Sequence, residues 1–383
     1  MRSDTELTKA LTSPTESLAN IAQQFVSTTT IKEITPLGNG NINDTYLVNT
    51  DPTFVLQRIN TDVFPQPRLV MDNLCQFVNH THQRLRQTPL DRRWEIPTVL
   101  RTHNNQHHWE DHQGNIWRGL SFVRGTITFD TIQNSHHGTE IGYGLGCFHN
   151  LLSDLPTEQL ADTLPGFHIT PNYLRQYDSV LSRTDALSEE EQYCCHLIAT
   201  HRDQLSILED ARAAGHLPLR PIHGDPKINN ILIDTDTGQA TSLIDLDTVK
   251  PGLVHYDIGD CLRSSCNPLG EETQQWQSVT FDVDLCASVL RGYLTNASGF
   301  LKPVEYTYIY DAIWLITFEL GLRFFSDHLV GNIYFKIKRP NHNLDRALVQ
   351  FHLANSIQTQ QKLIKTVIRQ LKADYCTEAG CAD

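Results

Sequence analysis

Short segments rich in apolar and β-branched residues, separated by turn signals, read as strands over 31–37, 45–49 and 54–59. A tight loop, Gly38-Asn39-Gly40-Asn41-Ile42-Asn43-Asp44, joins the first two, and a turn at 50–53 joins the next. The pattern then becomes helical over 67–87, where Val70, Leu74, Phe77, Val78 and Leu85 share a face. Two or three strands fill 94–123, ending in Leu120-Ser121-Phe122-Val123 before Arg124-Gly125. Beyond that point the pattern is mainly helical. Ile141, Leu145, Phe148 and Leu152 share a face, a helix covers 173–181, and a long one opens at Ser188-Glu189-Glu190-Glu191. That opening is a capping box, in which hydroxyl and carboxylate satisfy first-turn N–H groups. The helix is expected to close near Gly215, and others to lie near 275–294, 303–330 and 342–373. One hairpin interrupts this helical part: the apolar run after Asn230, the turn signal Asp234-Thr235-Asp236-Thr237-Gly238, and a second run into Asp245. The chain thus divides into an extension at 1–22, a β-rich N-lobe over 23–123 and a mainly helical C-lobe over 124–383.

The hairpin carries the chemistry. The stretch entering it reads Ile222-His223-Gly224-Asp225-Pro226-Lys227-Ile228-Asn229-Asn230, and Ser242-Leu243-Ile244-Asp245-Leu246-Asp247 closes it. Phosphoryl transfer from ATP needs a carboxylate to orient the attacking hydroxyl and take its proton. It also needs an Asn and a second carboxylate to hold Mg²⁺ against the phosphates. Protein kinases carry H-R-D-x-x-x-x-N with the metal Asp on a later hairpin. Here the Asp-to-Asn interval is the same, with Gly224 in place of Arg. Ahead of it, the glycines of the 38–44 loop let backbone N–H groups approach phosphate oxygens. Gly38, Gly40, Asn41, Asn43 and Thr45 are therefore candidates to cover the nucleotide, and Phe122 and Val123 to hydrogen-bond adenine from a hinge. The third strand should supply a cation, and either Gln57 or Arg58 faces the nucleotide because neighbours on a strand point oppositely. Charge favours Arg58. The helix at 67–87 has no Glu to pair with it, leaving Asp72 or Asn73 as substitutes.

Composition sets limits on partners. A formal charge of -13 with 20% charged residues excludes a broad electrostatic footprint for nucleic acid. No apolar run approaches the ~20 residues that span a bilayer, so no membrane segment is expected, and the first 25 residues lack the apolar core of a secretory signal. Nine cysteines, an odd number, point to reduced thiols in the cytoplasm. Cys376 and Cys381 lack the paired spacing of a zinc site, and His103, His107, His108 and His112 read as a solvated loop.

The HGDxxxxN pattern followed by Ile244-Asp245 resembles the aminoglycoside phosphotransferase and choline kinase superfamily, which implies an α+β, bilobal, protein-kinase-like fold. Further segments narrow the resemblance: Gly38 to Thr45, Leu56-Gln57-Arg58-Ile59-Asn60, Leu164-Pro165-Gly166-Phe167-His168, Ile244 to Thr248, Tyr256 to Arg263, and Glu319 to Lys336. Together they resemble the N-acetylhexosamine 1-kinase group across roughly residues 30–370. That resemblance implies a cytoplasmic enzyme converting an N-acetylhexosamine and ATP to the sugar 1-phosphate. Asp225 would be the base, Lys227 a cation at the transferring phosphoryl group, and Asn230, Asp245 and Asp247 the metal ligands. Asp247, two residues along the strand, would share a face with Asp245. Arg323, Tyr334 and His168 would touch sugar. A plainer reading makes Arg323 the i,i+4 ion-pair partner of Glu319, and His149 and His168 buried structural histidines. Asp260 and Arg263 read as an ion pair supporting the metal loop. Rival readings are another hydroxyl kinase, acting on an aminoglycoside, homoserine or choline, and a non-catalytic binding module.

Overall fold

The structure is a computed structural model that describes residues 17–26, 30–38, 42–184 and 187–378. Gly40, Asn41, Cys381 and most of the N-terminal extension lie outside the described residues, as does the side chain of Cys376. Two compact units are present. The first comprises residues up to Met71 together with Pro97–Phe122, and the second comprises Asp72–Ile96 and Val123–Asp383.

In the first unit a short helix, α1 (Leu18–Gln23), is capped by the Ser17 hydroxyl, which accepts from Asn20 N–H. Five antiparallel strands follow: β1 (Glu33–Pro36), β2 (Asp44–Asn49), β3 (Phe54–Arg58), β4 (Trp109–Glu110) and β5 (Ile116–Ser121), in the order β1-β2-β3-β5-β4. Val48, Phe54, Leu56 and Trp117 lie on one face of the sheet and form its core with Ile21, Ala22 and Phe25. The larger of these side chains, such as Ile21 and Phe25, contribute about 1.5–3 kcal/mol each relative to exposure, which is what holds so short a helix in place. The register pairs Asp44 with Arg58, Gln57 with Arg118, and Arg58 with Trp117. Arg58 therefore lies on the core side, next in line after Phe54 and Leu56, and Gln57 lies on the other.

The helix α2 (Pro67–Gln87) forms where expected, with Pro67 at a first position whose N–H needs no partner. The division between the units falls inside it, after Met71. The second unit continues through β6 (Thr126–Ile127), α3 (Ser135–Leu151), α4 (Thr170–Leu181), α5 (Glu189–His201) and α6 (Ile207–Ala213). The expected capping box at Ser188 is formed, with Glu191 as its second member. The single long helix expected from there to Gly215 is instead broken into α5 and α6 by a 3₁₀ segment, Arg202–Gln204. There Arg202 is drawn to Asp178 of α4 (3.0 and 2.5 Å).

Then come β7 (Arg220–Ile222), β8 (Ile231–Asp234), β9 (Ala240–Leu243) and β10 (Lys250–Gly252), followed by α7 (Val254–Ser265). β8 and β9 are the expected hairpin, with Ile231 opposite Leu243, and β6 extends it to three strands. Its turn is held by Asp234, whose Oδ1 accepts from the N–H groups of Asp236 (3.0 Å) and Thr237 (2.9 Å). α8 (Val283–Ala297), α9 (Ile309–Leu329), α10 (His342–Thr359) and α11 (Gln361–Glu378) complete the chain. α8 starts later than the periodicity implied because Asp282 caps it, accepting from Asp284 and Leu285 N–H at 2.9 Å. No helix among the described residues is long and apolar enough to cross a membrane.

α3 and α8 pack with their backbones touching. A methyl group added at Gly142 or Gly146 would overlap the carbonyl of Val289 or Tyr293, and one at Gly292 would overlap that of Thr139. This close approach sets His149 of α3 against Tyr293 of α8, Nδ1 to hydroxyl 3.0 Å.

Candidate active site

The loop between β7 and β8 is pinned from below by one carboxylate. Asp257 of α7 is fully buried, and its oxygens accept from the backbone N–H of His223 (2.6 Å) and Gly224 (2.8 Å) and face His149 Nε2 (2.8 Å). His223 is also fully placed. Its Nε2 donates to the Ile244 carbonyl (2.9 Å) and its Nδ1 accepts from Asp225 N–H (3.3 Å), which fixes the neutral tautomer. Burial lowers its pKa in the same sense. Gly224 explains why Gly replaces the kinase Arg. Its φ is +86°, and a Cβ would stand 2.8 Å from Thr248 Cβ. The Thr248 hydroxyl donates to the His223 carbonyl (2.6 Å).

Asp225 emerges from this frame with 30% of its side-chain surface exposed, and Lys227 Nζ lies 3.0 Å from its Oδ2. The crowded surroundings lift the carboxyl above its ordinary pKa, Asp260 adds to this, and Lys227 opposes it. Lys227 is itself held well above its ordinary value. Burial works against its charge, but Asp225, Glu271 and Asp260 outweigh it. The expected ion pair on α7 exists: Arg263 donates to Asp260 Oδ1 (3.0 and 2.7 Å) and to Glu271 (2.8 Å). Ser264 accepts from Ile228 N–H (3.3 Å), a further tie from α7 to the loop.

The amide of Asn230 donates to the Asp225 backbone carbonyl (2.8 Å), which leaves its Oδ1 as the outward acceptor. Its own carbonyl accepts from Ile244 N–H (2.9 Å), so Asn230 and Asp245 are neighbours across the end of the ladder. Asp245 is left-handed (φ 63°, ψ 57°), a conformation unusual outside Gly and frequent at functional positions. Residues 246–248 form a 3₁₀ turn and β9 ends at Leu243, so the strand alternation expected to align Asp247 with Asp245 does not apply. Asp247 is buried in that turn. Among the described residues no group of three or more His, Cys, Asp or Glu side chains is arranged to hold a metal. Asn230 and Asp245, adjacent at the end of the ladder, carry oxygen donors of the kind a hard cation takes.

A cavity of ≈ 420 Å³ in the same unit is lined by Phe167, Asn172, Tyr173, Arg323, Tyr334 and Phe335, among others. The Arg323 guanidinium is caged by the rings of Tyr173 (5.0 Å), Phe167 (5.1 Å) and Phe335 (5.5 Å). It makes no hydrogen bond or ion pair among the described residues. The plainer reading of a Glu319–Arg323 pair therefore fails, because Glu319 is engaged elsewhere. Its Oε1 lies 2.9 Å from His168 Nδ1, and its Oε2 accepts from the Thr170 hydroxyl (2.6 Å). Burial works against the Arg323 charge, but the surrounding groups, Tyr173, Tyr334 and Glu319 ahead of Asp225, outweigh it and raise its pKa.

His168, expected among the sugar contacts, is buried with both ring nitrogens occupied: Nε2 donates to the Gly224 carbonyl (2.8 Å) and Nδ1 faces Glu319. Two acceptors require two ring protons, so the ring is an imidazolium. Burial opposes that charge, but Glu319 and the Gly224 carbonyl raise the pKa above 6.5. The native state holds this proton more tightly than the unfolded chain does. The stability gained is therefore complete below about 6.5 and is lost as pH climbs through the raised native value. His168→Gln should cost about 2 kcal/mol at pH 6. The deficit should shrink toward pH 9 in urea titrations; a deficit independent of pH would mean a neutral ring.

In the first unit Gly38 has φ +72°, Asn43 accepts from Asn60 N–H (3.0 Å), and Thr45 accepts from Gln57 Nε2 (3.1 Å). Arg58 is held by Asp44 (Nε to Oδ2 2.8 Å) and would have to release it to meet a phosphate. The cation on the Gln57 side is Arg118 of β5, which donates to Gln57 Oε1 at 3.0 and 2.8 Å. Asn73, a candidate partner for the strand cation, is committed to Ala161 and the Val249 carbonyl (2.8 to 2.9 Å), and Asp72 is exposed.

A sequence profile of the phosphotransferase enzyme family matches residues 33–281, more than half of the chain. The chain belongs to this family. Among solved structures, an aminoglycoside phosphotransferase from Alicyclobacillus acidocaldarius has 17% identity and TM-score 0.60, with 92% of this chain and 96% of that one covered. A choline kinase from Cryptosporidium parvum has 15% identity, TM-score 0.53 and coverage of 89% and 92%. An amicoumacin kinase in complex with AMP-PNP and Ca²⁺ has 12% identity, TM-score 0.57 and coverage of 88% and 91%. The superfamily resemblance and the kinase-like α+β fold expected from the sequence are both borne out. Sequence reasoning missed the role of Asp257 in this phosphotransferase. The available signal was a carboxylate among the apolar positions of the helix that follows the Asp245 turn and β10.

Proposed function

We propose that this phosphotransferase uses ATP and Mg²⁺ to phosphorylate the anomeric hydroxyl of an N-acetylhexosamine in the cytoplasm. The observation that carries the acceptor class is Arg323, a cation held by aromatic faces and lining the cavity with no anionic partner of its own. Choline and aminoglycosides are cations, which the Arg323 guanidinium opposes, while the lining carboxylate of Asp327 is taken up by the backbone N–H groups of residues 333–335. Aromatic walls with Asn172 and Gln176 suit the C–H faces and hydroxyls of a neutral sugar. ATP is favoured by the HGDxxxxN arrangement and by the nucleotide analogue in the amicoumacin kinase.

Asp225 orients the sugar hydroxyl and takes its proton as the new O–P bond forms and the bond from Pγ to the bridging oxygen breaks, releasing ADP. Lys227 neutralises charge on the transferring group and holds Asp225 in place. Asn230 and Asp245 would hold Mg²⁺, which when bound would supply charge neutralisation at the phosphate oxygens. Gly38, Asn43 and Thr45 cover the nucleotide in this reading. Transfer is direct, without a phosphoenzyme, because positioning and charge neutralisation suffice for a loose transition state.

The test is ADP release across N-acetylglucosamine, N-acetylgalactosamine, an aminoglycoside, homoserine and choline. Turnover confined to the N-acetylhexosamines is expected; turnover confined to a cationic acceptor would overturn the reading.

A further inference from the structure

The loop after α9 carries two cavity walls, Tyr334 and Phe335, yet little of it is buried. Ile333 is 81% and Tyr334 45% exposed, and none of residues 331–340 is buried. Apolar burial therefore does not hold this loop, apart from Phe335 resting on Phe324 with ring centroids 4.5 Å apart. One carboxylate holds its first residues, while Arg346 and His342 of α10 tie the Lys336 carbonyl and the Lys338 N–H (3.2 Å each). Asp327 sits one helical turn beyond Arg323, and its Oδ1 accepts from the backbone N–H of Ile333 (2.9 Å) and Tyr334 (2.8 Å). Its Oδ2 accepts from Phe335 N–H (2.9 Å) and from the Asn343 amide of α10 (3.0 Å). Its backbone carbonyl accepts from Asn332 N–H (2.7 Å), and Asn343 also donates to Asn332 Oδ1 (3.0 Å).

Three consecutive N–H groups converging on one side chain bend the chain back over α9 and bring Phe335 onto the Arg323 cage. The same bonds occupy the lone pairs of Asp327. Its charge is thereby engaged by the loop, and Arg323, four residues earlier, keeps its donors for a ligand. We propose that Asp327, itself at the cavity wall, is a positioning residue of the acceptor site, its carboxylate oxygens taken up by the 331–335 loop and so shaping the site through that loop. This rests on the proposed role of the cavity as the acceptor pocket.

Asp327→Asn turns one acceptor oxygen into an amide that faces N–H groups and frees part of the loop. The expected result is an acceptor KM raised roughly ten- to hundredfold, with kcat and the KM for ATP within about threefold of wild type. Limited trypsin digestion should cut faster at Lys336 and Lys338, which directly follow the released residues. Phe335→Ala, at a half-buried position, removes the wall itself and should raise acceptor KM in the same way without a general loss of folding. Cleavage at the wild-type rate in Asp327→Asn would overturn the proposal. So would faster cleavage with unchanged acceptor KM, a parallel loss in kcat and the KM for ATP, or a neutral Phe335→Ala. Failure of the N-acetylhexosamine reading is a separate result, seen in wild type alone. The KM comparison is then made with whichever acceptor supports ADP release, and the digestion arm needs no acceptor.

Discussion

Asp225→Asn is expected to lower turnover by about 10²–10⁴-fold, the usual contribution of a positioned general base. The amide has the same shape but cannot accept the hydroxyl proton. Nucleotide binding should persist, because the frame around the loop does not depend on this side chain: Asp257, His223 and Thr248 hold the backbone. Coupled ADP release with acceptor present measures the first effect, and calorimetric titration with a non-hydrolysable ATP analogue measures the second. A variant that turns over within about tenfold of wild type would remove Asp225 as the base. Loss of both turnover and nucleotide binding would instead point to Lys227, left without its partner and displaced from the loop.

Asp257→Ala should be the most damaging single change away from the reacting atoms. It strips three buried groups of their acceptor at once: the N–H of His223, the N–H of Gly224 and the ring of His149. Removing one member of such a buried set costs roughly 3–5 kcal/mol, a large part of the stability of an ordinary domain. Asp257→Asn retains one acceptor oxygen and should fall between the two in urea denaturation, with turnover reduced in proportion to how far Gly224 moves. An Asp257→Asn protein of normal stability and normal turnover would mean that α7 does not position the loop.

The part of the site visible in the sequence is the part built from neighbours along the chain. His223, Asp225 and Asn230 are separated by a few residues, and the turn at Asp234 to Gly238 announces the hairpin that brings Asp245 beside them. What stayed hidden depends on pairs far apart in sequence. Asp257 meets His149 across 108 residues, and His168 meets Glu319 across 151. A carboxylate on an apolar helix face, as Asp257 is with Val254, Ile258 and Cys261, hints at burial, but nothing local names the partner. The third strand illustrates the same limit. Alternation narrows the choice to Gln57 or Arg58, but only the cross-strand register reveals Arg118 beside Gln57. The long helix expected from Ser188 broke for a comparable reason, since Arg202 is drawn to a residue of another helix.

The glycines that let α3 and α8 touch also decide where this enzyme can evolve. Gly142, Gly146 and Gly292 admit no larger residue without parting the helices, and parting them would move His149 and, through Asp257, the loop that carries Asp225. The cavity walls at Asn172, Val180, Val330 and Tyr334 belong to other elements and carry no such constraint. With the cavity as acceptor site, as proposed above, a lineage can exchange one acceptor for another while the loop that carries Asp225 stands still, and new specificities should arise by drift along that rim.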